Sequence, residues 1–293
     1  MLILISDAFD KSLPGRLAQL GEVTSDHQRL AEAEVVLIRS KTKCTKEYID
    51  SAPKLRLVIR GGVGMDNIDR AHAKEKGIEA TNTPEASSVA VAELAMALML
   101  AVPNHIVAGH TSMSQGKWLK KELERTELYR KTLGLLGVGR IGREVAKRAA
   151  AFGMTVIAHD PYVKSCDVAE LAVLDQVLAR SDYLSLHMPL SDETKSMLNA
   201  DTLGRTKKGV IIVNTGRAKC VDEAAMAKAL ESGQVRAYAT DVWYSDPPPP
   251  DCPLLKAPNV LMAPHIGAST GENLSRIGDI VVEKIREYVA KKK

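Results

Sequence analysis

The chain has 293 residues, which exceeds one typical domain and favours two. Forty basic and 36 acidic side chains leave a net charge of +4, which is too mild to indicate nucleic acid as a partner. The four cysteines stand far apart without metal-ligand spacing, and the first apolar run starts at once, so we predict no metal, reduced thiols and a cytoplasmic protein.

The first 83 residues alternate short apolar runs with helical patterns. Such alternation is typical of a parallel sheet with crossover helices, so we predict a small α/β domain over residues 1–83. A helical pattern at Thr270–Ala290 predicts that residues 267–293 return to complete this substrate domain. The elements predicted within the first 83 residues are strands at Leu2–Ile5, Val35–Ile38 and Leu55–Ile59 and a helix at Asp66–Lys76.

The segment Val89–Val102 is apolar at nearly every position. It is short for a membrane span and it carries Glu93, so we predict no membrane contact. A helix that is apolar on nearly all sides is buried on most of them. We therefore favour a homodimer formed through residues 84–107, with a purely internal helix as the alternative.

Residues 132–160 have the pattern of a dinucleotide site. The apolar run Leu133–Leu136 predicts a buried parallel strand, and a glycine turn and an amphipathic helix follow it. Gly137 permits a tight turn, Gly139 lets the backbone approach a pyrophosphate, and Gly142 lets the helix lie close to the strand.

Two further features of this segment complete the predicted cofactor site. Arg140 and Ile141 lie where the helix begins, and unpaired N–H groups at a helix N-terminus attract phosphate. Asp160 follows the next predicted strand, Thr155–Ala158, where a carboxylate accepts hydrogen bonds from the adenosine ribose hydroxyls. A 2′-phosphate there would meet like charge, so the pattern favours NAD over NADP.

The later residues continue the alternation of strand and helix, so we predict an NAD-binding domain over residues 84–266. The predicted fold class is α/β, with two Rossmann-like or flavodoxin-like domains that have parallel sheets, the second being a dinucleotide-binding Rossmann fold. The later strands predicted are Tyr183–Leu186, Val210–Val213, Ala237–Ala239 and Val260–Met262, and the helices are Ala169–Arg180 and Asp222–Ser232.

Three ionisable residues follow late strands, at the carboxyl ends where ligands bind in such sheets: Arg217, Asp246 and His265. Hydride transfer to a 2-keto acid needs a planar cation that holds the carboxylate through two hydrogen bonds, and Arg217 supplies one. The carbonyl also needs a proton donor that titrates near neutrality, a role that suits His265. A carboxylate beside the imidazole orients it and favours its charged form, which we assign to Asp246.

The chain closely resembles the D-isomer-specific 2-hydroxyacid dehydrogenases, and among them the short D-3-phosphoglycerate dehydrogenases. In that family the positions of Arg217 and His265 are catalytic. The resemblance also implies that Pro189 lines the nicotinamide ring, that Asp241 lies near its carboxamide, and that Thr215 and His265 contact the cofactor. The motifs that carry it are Ile38-Arg-Ser-Lys-Thr42, Arg60-Gly-Gly-Val-Gly-Met-Asp-Asn67, Asn82-Thr-Pro84, the glycine turn, Asn214-Thr-Gly-Arg217, Asp241-Val-Trp243 and Pro264-His-Ile-Gly267.

The third catalytic position departs from the family, which usually has glutamate where this chain has Asp246. One methylene less shortens the reach of the carboxylate towards His265. We therefore expect a longer pair, or a loop that moves inward.

The resemblance places substrate residues in the first domain. The backbone of Gly61, Gly62, Val63 and Gly64 is similar to the segment that cradles the substrate carboxylate, and Arg39 and Arg60 resemble positions that meet substrate in phosphoglycerate dehydrogenases. The added positive charge suits a phosphate, so we predict NAD-linked oxidation of D-3-phosphoglycerate in the direction of serine biosynthesis. The alternatives are a glyoxylate or hydroxypyruvate reductase or another D-2-hydroxyacid dehydrogenase, with Arg60 only bracing the loop, and an NAD-sensing corepressor without turnover.

Overall fold

The computed structural model describes residues 1–292 and divides the chain into two compact units. Unit 1 comprises Met1–Ser88 and the residues from Ala268 onward, and unit 2 comprises Val89–Gly267. The sequence pattern predicts the boundaries between the two domains after residues 83 and 266. The assignment of substrate to one unit and cofactor to the other remains a prediction.

Twelve strands and ten α-helices occur within residues 1–292, together with three short 3-10 helices at His27–Glu32, Ala218–Cys220 and Pro253–Leu255. The strands are β1 (Leu2–Ile5), β2 (Glu22–Thr24), β3 (Val35–Ile38), β4 (Leu57–Arg60), β5 (Glu79–Asn82), β6 (Thr132–Leu136), β7 (Thr155–His159), β8 (Glu170–Leu171), β9 (Tyr183–Leu186), β10 (Val210–Asn214), β11 (Val235–Thr240) and β12 (Val260–Met262). The helices are α1 (Leu13–Leu17), α2 (Lys46–Asp50), α3 (Arg70–Glu75), α4 (Ser88–Ala101), α5 (Ile106–Ser114), α6 (Arg140–Ala151), α7 (Leu174–Arg180), α8 (Ala200–Gly204), α9 (Glu223–Glu231) and α10 (Gly271–Lys291).

Unit 1 is built on a parallel sheet with the strand order β2-β1-β3-β4-β5. This is the flavodoxin-like order, in which the chain reverses its direction of winding between the first and third strands. The last helix, α10, packs on this unit as predicted. Its buried residues recur at helical spacing, and Ile277, Val281 and Ile285 join the same core as Ile3 and Val35.

Unit 2 is built on a seven-stranded parallel sheet with the order β12-β11-β10-β9-β6-β7-β8. This is the doubly wound order of a dinucleotide-binding fold, with one further strand at an edge. The winding reverses between β6 and β9, so the crevice at their carboxyl ends is the expected ligand site. The predicted α/β fold with two parallel sheets is confirmed.

The sequence pattern misses three strands, and all three lie at the edge of a sheet: β2, β5 and β8. The predicted helix Ala169–Arg180 is wrong in its first part, because Glu170 and Leu171 pair with β7 and the helix starts only at Leu174. The helix predicted from Asp66 likewise starts later, since the Asp69 side chain caps it by accepting from the His72 N–H at 2.9 Å.

The long apolar helix α4 packs within unit 2, where Ala92, Ala95 and Met99 are completely buried beside the β6 strand. Larger apolar exposure occurs in the following helix and the residues after it: Ile106 is 59% exposed and Trp118 is 73% exposed, compared with 38% for Val89 in α4. The chain's own core therefore covers most of α4, in line with the internal alternative, and the homodimer stays a prediction.

No single helix within residues 1–292 is long and apolar enough to cross a membrane. Helices α4 and α5 together have the length and the apolar composition of a membrane span, but the pair is bent by 63°. In the same part of the chain, no group of three or more His, Cys, Asp or Glu side chains is arranged to hold a metal ion. The four cysteines are free thiols.

Candidate active site

The glycine turn lies at the carboxyl end of β6, beside the point where the sheet reverses. Gly137 has a φ of +91°, a left-handed conformation, and a Cβ there would lie 2.9 Å from the carbonyl carbon of His187. A Cβ on Gly142 would collide with the Gly137 carbonyl, so the first turn of α6 packs directly on the turn. A Cβ on Gly139, by contrast, would meet nothing within 4 Å, so the backbone faces open space there.

The start of α6 suits the phosphates of a dinucleotide, and two further residues predicted to contact the cofactor follow β9 and β10. Helix α6 begins at Arg140, and Ile141 follows in its first turn, where N–H groups lack intrahelical acceptors and favour phosphate. Thr215, at the end of β10, has a buried Oγ1 with no hydrogen-bond partner in the described residues. Pro189 follows β9 and is exposed, with its carbonyl accepting from the Thr194 hydroxyl at 2.7 Å.

Asp160 follows β7 and its carboxylate reaches back to the glycine turn. Its Oδ2 accepts from the Val138 N–H at 3.0 Å, and its Oδ1 accepts from the Tyr162 N–H at 3.1 Å. The acid therefore stabilises the turn, a role that the sequence pattern does not reveal, and its contact with a ribose hydroxyl stays a prediction.

A buried imidazole lies beneath the turn. His187 Nε2 is 2.9 Å from the Ser185 hydroxyl, and its Nδ1 is inaccessible and has no hydrogen-bond partner in the described residues. Although part of the residue reaches solvent, burial of the ring lowers the His187 pKa to about 4. The imidazole is therefore neutral in the folded protein at physiological pH.

This neutral imidazole predicts a pH-dependent stability. Between pH 6.5, the ordinary value for histidine, and about pH 4, the unfolded chain binds the proton and the folded protein does not. Stability is therefore lost as the pH falls through this window, and His187 alone contributes a loss of about 2 kcal/mol between pH 7.5 and pH 5. Urea denaturation should show a smaller loss over this range for His187→Gln, whereas replacing the exposed His27 by Gln should leave the loss unchanged.

The loop after β10 presents Arg217. The side chain of Asn214, which is fully buried, accepts from the Gly216 N–H at 3.0 Å and donates to the Arg217 carbonyl at 3.1 Å. A Cβ on Gly216 would lie 2.8 Å from the Leu186 carbonyl, so the loop lies tightly against the end of β9. The backbone of Arg217 is thus fixed from two sides.

Asp241 anchors the loop that carries His265. Its two carboxylate oxygens accept from the N–H groups of Ile266 at 2.8 Å and Gly267 at 2.7 Å. Burial raises the pKa of the Asp241 carboxyl, while these two N–H groups act in the opposite direction. The contact with a nicotinamide carboxamide that the resemblance implies stays a prediction; the structure adds the role of holding His265, whose φ is +58°.

Asp246 and His265 form a direct pair. The Asp246 Oδ2 lies 2.5 Å from His265 Nδ1, and both side chains are partly exposed. Of the two alternatives expected for the shorter side chain, the longer pair is not observed, because the loop places Asp246 close to His265. That loop is held at one side by the Tyr244 hydroxyl, which donates to the Val221 carbonyl at 2.7 Å.

The pair defines how the imidazole can act. An N–H at Nδ1 donates to the carboxylate, which leaves Nε2 as the atom that exchanges a proton with a ligand. Arg217, Asp241 and His265 follow β10, β11 and β12, three neighbouring strands, so the carboxyl edge of one sheet brings the cation and the acid–base group together. Such a set can bind a carboxylate and move a proton beside it.

In unit 1, the predicted carboxylate loop follows β4. The Gly62 N–H donates to the Thr83 hydroxyl at 2.9 Å, and the Val63 carbonyl accepts from the Asn82 side chain at 2.5 Å. Gly62 has a φ of +142°, which favours glycine, and Gly61 is buried. The loop from Gly61 to Gly64 is thus fixed by β5, beside Arg60 at the end of β4.

Arg39, also in unit 1, follows β3 at the point where this sheet reverses. Its guanidinium donates to the carbonyls of Ala8 at 3.3 Å and Ala268 at 3.2 Å, and its Nε is buried with no hydrogen-bond partner in the described residues. The nearby Asp7 carboxylate accepts instead from the N–H groups of Arg39 and Thr42. Burial lowers the pKa of Arg39, although the guanidinium remains charged.

Comparison with known proteins agrees with this arrangement. Residues 96–267 match a family model described as D-isomer specific 2-hydroxyacid dehydrogenase, NAD binding domain. The chain is 45% identical over 293 residues to a hydroxypyruvate reductase of Thermotoga maritima, with 96% of each chain covered. It is 41% identical to a D-3-phosphoglycerate dehydrogenase of Methanocaldococcus jannaschii, which covers 98% of this chain but only 57% of that longer protein. A D-lactate dehydrogenase of Aquifex aeolicus, solved with NAD and lactic acid, has a TM-score of 0.89 at 29% identity and covers 99% of this chain and 96% of its own.

Proposed function

Since the chain belongs to the D-isomer-specific 2-hydroxyacid dehydrogenase family, we propose that it oxidises D-3-phosphoglycerate to 3-phosphohydroxypyruvate. The cofactor is NAD, which when bound accepts a hydride from C2 of the hydroxy acid. His265 Nε2 takes the hydroxyl proton, and Asp246 balances the charge that the imidazole gains. Arg217 holds the substrate carboxylate with two parallel N–H groups. In this proposal unit 2 binds NAD and unit 1 supplies substrate contacts.

The burial of Arg39 is the observation that supports a phosphorylated substrate. Its guanidinium is half-buried, has no carboxylate within ion-pair distance among the described residues, and keeps a buried N–H group unpaired. Burial lowers the pKa of Arg39 although the nearby Asp7 carboxylate acts in the opposite direction, so the buried charge costs free energy that an anionic ligand would offset. Lys41 and Lys43 follow in the same loop and are exposed, which adds positive charge near Arg39.

Reduction of hydroxypyruvate is the second candidate. It is favoured by the likeness to the Thermotoga maritima protein, which extends over nearly all of both chains, whereas the phosphoglycerate dehydrogenase relative is much longer than this chain. The same three residues, Arg217, Asp246 and His265, would serve this reaction. The substrates of the two candidates differ in whether they carry a phosphate.

Steady-state kinetics with NADH distinguish these candidates. We expect kcat/KM to be highest for phosphohydroxypyruvate when it is compared with hydroxypyruvate, glyoxylate and pyruvate. Arg39→Gln should lower kcat/KM for phosphohydroxypyruvate about tenfold and leave hydroxypyruvate unchanged, since one charge-assisted interaction is lost. Arg56→Gln, which removes an exposed arginine of the same unit, is the control. A preference for an unphosphorylated acid would overturn the phosphoglycerate assignment.

Asp160 is proposed to select NAD over NADP. Asp160→Asn removes the negative charge but keeps an oxygen that can accept from the Val138 N–H, so the turn should remain intact. We expect the ratio of kcat/KM for NADP to that for NAD to rise about tenfold or more, because a 2′-phosphate no longer meets like charge. An unchanged ratio in Asp160→Asn and in Asp160→Ala would refute this role.

We also propose a homodimer that covers the exposed apolar face of α5. Ile106 and Val107 lie within the predicted region 84–107 and are 59% and 54% exposed, and Met113 extends the face. Ile106→Glu combined with Val107→Glu should convert the dimer to a monomer in sedimentation velocity experiments, because two charges would be buried unpaired. If the unchanged protein sediments as a monomer at micromolar concentration, the proposal is wrong.

A further inference from the structure

A buried polar cluster lies behind the loop that carries Arg217. Its centre is Asn214, which is fully buried and whose side chain forms hydrogen bonds with three groups. The Gly216 N–H requires an acceptor and the Arg217 carbonyl requires a donor, so the orientation of the amide is fixed. The second hydrogen of the Asn214 amide points to the hydroxyl of Tyr238, at 3.1 Å.

Tyr238 comes from the neighbouring strand, β11, and is 1% exposed. Its backbone is opposite Ile212, two residues before Asn214, so the ring lies along the strand towards the carboxyl edge of the sheet. Burial raises the pKa of Tyr238 to about 12, and the hydroxyl is therefore neutral throughout the working range of an enzyme. A tyrosine hydroxyl in the interior of a sheet needs such a partner to offset its burial.

We propose that Tyr238 is a positioning residue for the substrate-binding arginine: its hydroxyl holds the Asn214 amide, which holds the Arg217 carbonyl and so fixes the guanidinium for a carboxylate. This inference rests on the proposed role of Arg217 in substrate binding. It adds a residue that touches neither substrate nor cofactor in the proposed mechanism.

The orientation of the Asn214 amide depends on the Tyr238 hydroxyl. Without the Tyr238 oxygen, one hydrogen of the buried Asn214 amide has no acceptor, and the side chain gains by rotating towards another one. Rotation removes the donor from the Arg217 carbonyl and the acceptor from the Gly216 N–H. Binding of a carboxylate through two parallel hydrogen bonds is sensitive to such small displacements, because both N–H groups must be aligned.

Tyr238→Phe tests the proposal, and the chain offers a matched control. Tyr183 lies in the same sheet and is 2% exposed, and it stands at the first position of β9, at the amino edge. Both substitutions remove one buried hydroxyl from unit 2. The probe is oxamate, a carboxylate analogue of a 2-keto acid, titrated into the complex of each variant with NADH and followed by nicotinamide fluorescence.

We expect Tyr238→Phe to weaken oxamate binding about tenfold and Tyr183→Phe to leave it within a factor of about two. The affinity for NADH should be the same in both variants, and their losses of thermal stability should be similar. In an Arg217→Ala background, Tyr238→Phe should have no further effect on oxamate, because the residue acts through the arginine.

The outcomes separate this inference from the proposed function. If Arg217→Ala binds oxamate as tightly as the unchanged protein, the proposed role of Arg217 fails and the inference fails with it. If Arg217→Ala loses oxamate while Tyr238→Phe behaves like Tyr183→Phe, the proposed function stands and the role of Tyr238 is overturned. The same holds if Tyr238→Phe weakens NADH and oxamate equally, since that indicates a general loosening of unit 2.

Discussion

Replacing Arg217 by lysine is expected to lower kcat/KM for the 2-keto acid about a hundredfold, because lysine keeps the charge but loses one of two charge-assisted hydrogen bonds and the rigid fork that aligns them. NADH affinity should stay the same. The loop geometry supports this separation, since Asn214 fixes the Arg217 backbone independently of the side chain that is exchanged. Stopped-flow and steady-state kinetics with a fluorescence titration of NADH measure both quantities.

Arg205→Lys is the matched control for this experiment, because Arg205 lies in the same unit and forms ion pairs with the exposed acids Asp175 and Asp201. It should leave kcat/KM unchanged. A loss of less than threefold in Arg217→Lys would contradict bidentate carboxylate binding by this residue. An NADH-binding protein with no turnover in its unchanged form would favour the corepressor reading instead.

Replacing His265 by glutamine is expected to lower kcat roughly 10² to 10⁴-fold, which is the range for loss of a positioned acid–base group. Glutamine keeps hydrogen-bonding atoms of similar reach but cannot exchange a proton near neutral pH. The KM for the keto acid should change less than kcat, since Arg217 still binds the carboxylate. His27→Gln, at an exposed position of unit 1, should have no effect.

The pairing with Asp246 identifies which nitrogen of His265 exchanges the proton. The 2.5 Å contact assigns Nδ1 to the carboxylate and leaves Nε2 for the ligand. An enzyme that keeps more than one tenth of its kcat in His265→Gln would contradict proton transfer at Nε2. Such a result would point to a solvent-borne proton or to another group as the acid–base catalyst.

Most of the strands predicted from the sequence are buried apolar runs, although the edge strand β12 was also predicted and is only partly buried. Val35–Ile38 and Tyr183–Leu186 are continuous apolar runs because helices cover both sides of the sheet, and their predicted bounds match the structure. The three missed strands are edge strands with polar residues. In β5 the residues Glu79–Asn82 contain only one apolar side chain, so no period of two can be recognised.

The sequence predicts those parts of the candidate site that depend on neighbouring residues in the chain. Gly137, Gly139 and Gly142 act through their own backbones, so their spacing carries the information. The distance from Asp246 to His265 depends on the path of two loops, so the length of the aspartate side chain could not decide between a longer pair and a loop that lies closer. Tyr238 and Asn214 meet only through strand register, which a single sequence does not encode in a readable way.

The most direct test of the proposed hydride transfer to NAD follows the hydrogen at C2 of the hydroxy acid. D-3-Phosphoglycerate and D-glycerate, each carrying deuterium at C2, are incubated with the protein and NAD, and the reduced cofactor is analysed by mass spectrometry and NMR. Hydride transfer beside Arg217 and His265 predicts one deuterium at C4 of the nicotinamide, with the phosphorylated acid as the better donor. Loss of the label to water, or the absence of reduced cofactor with either acid, would contradict the account.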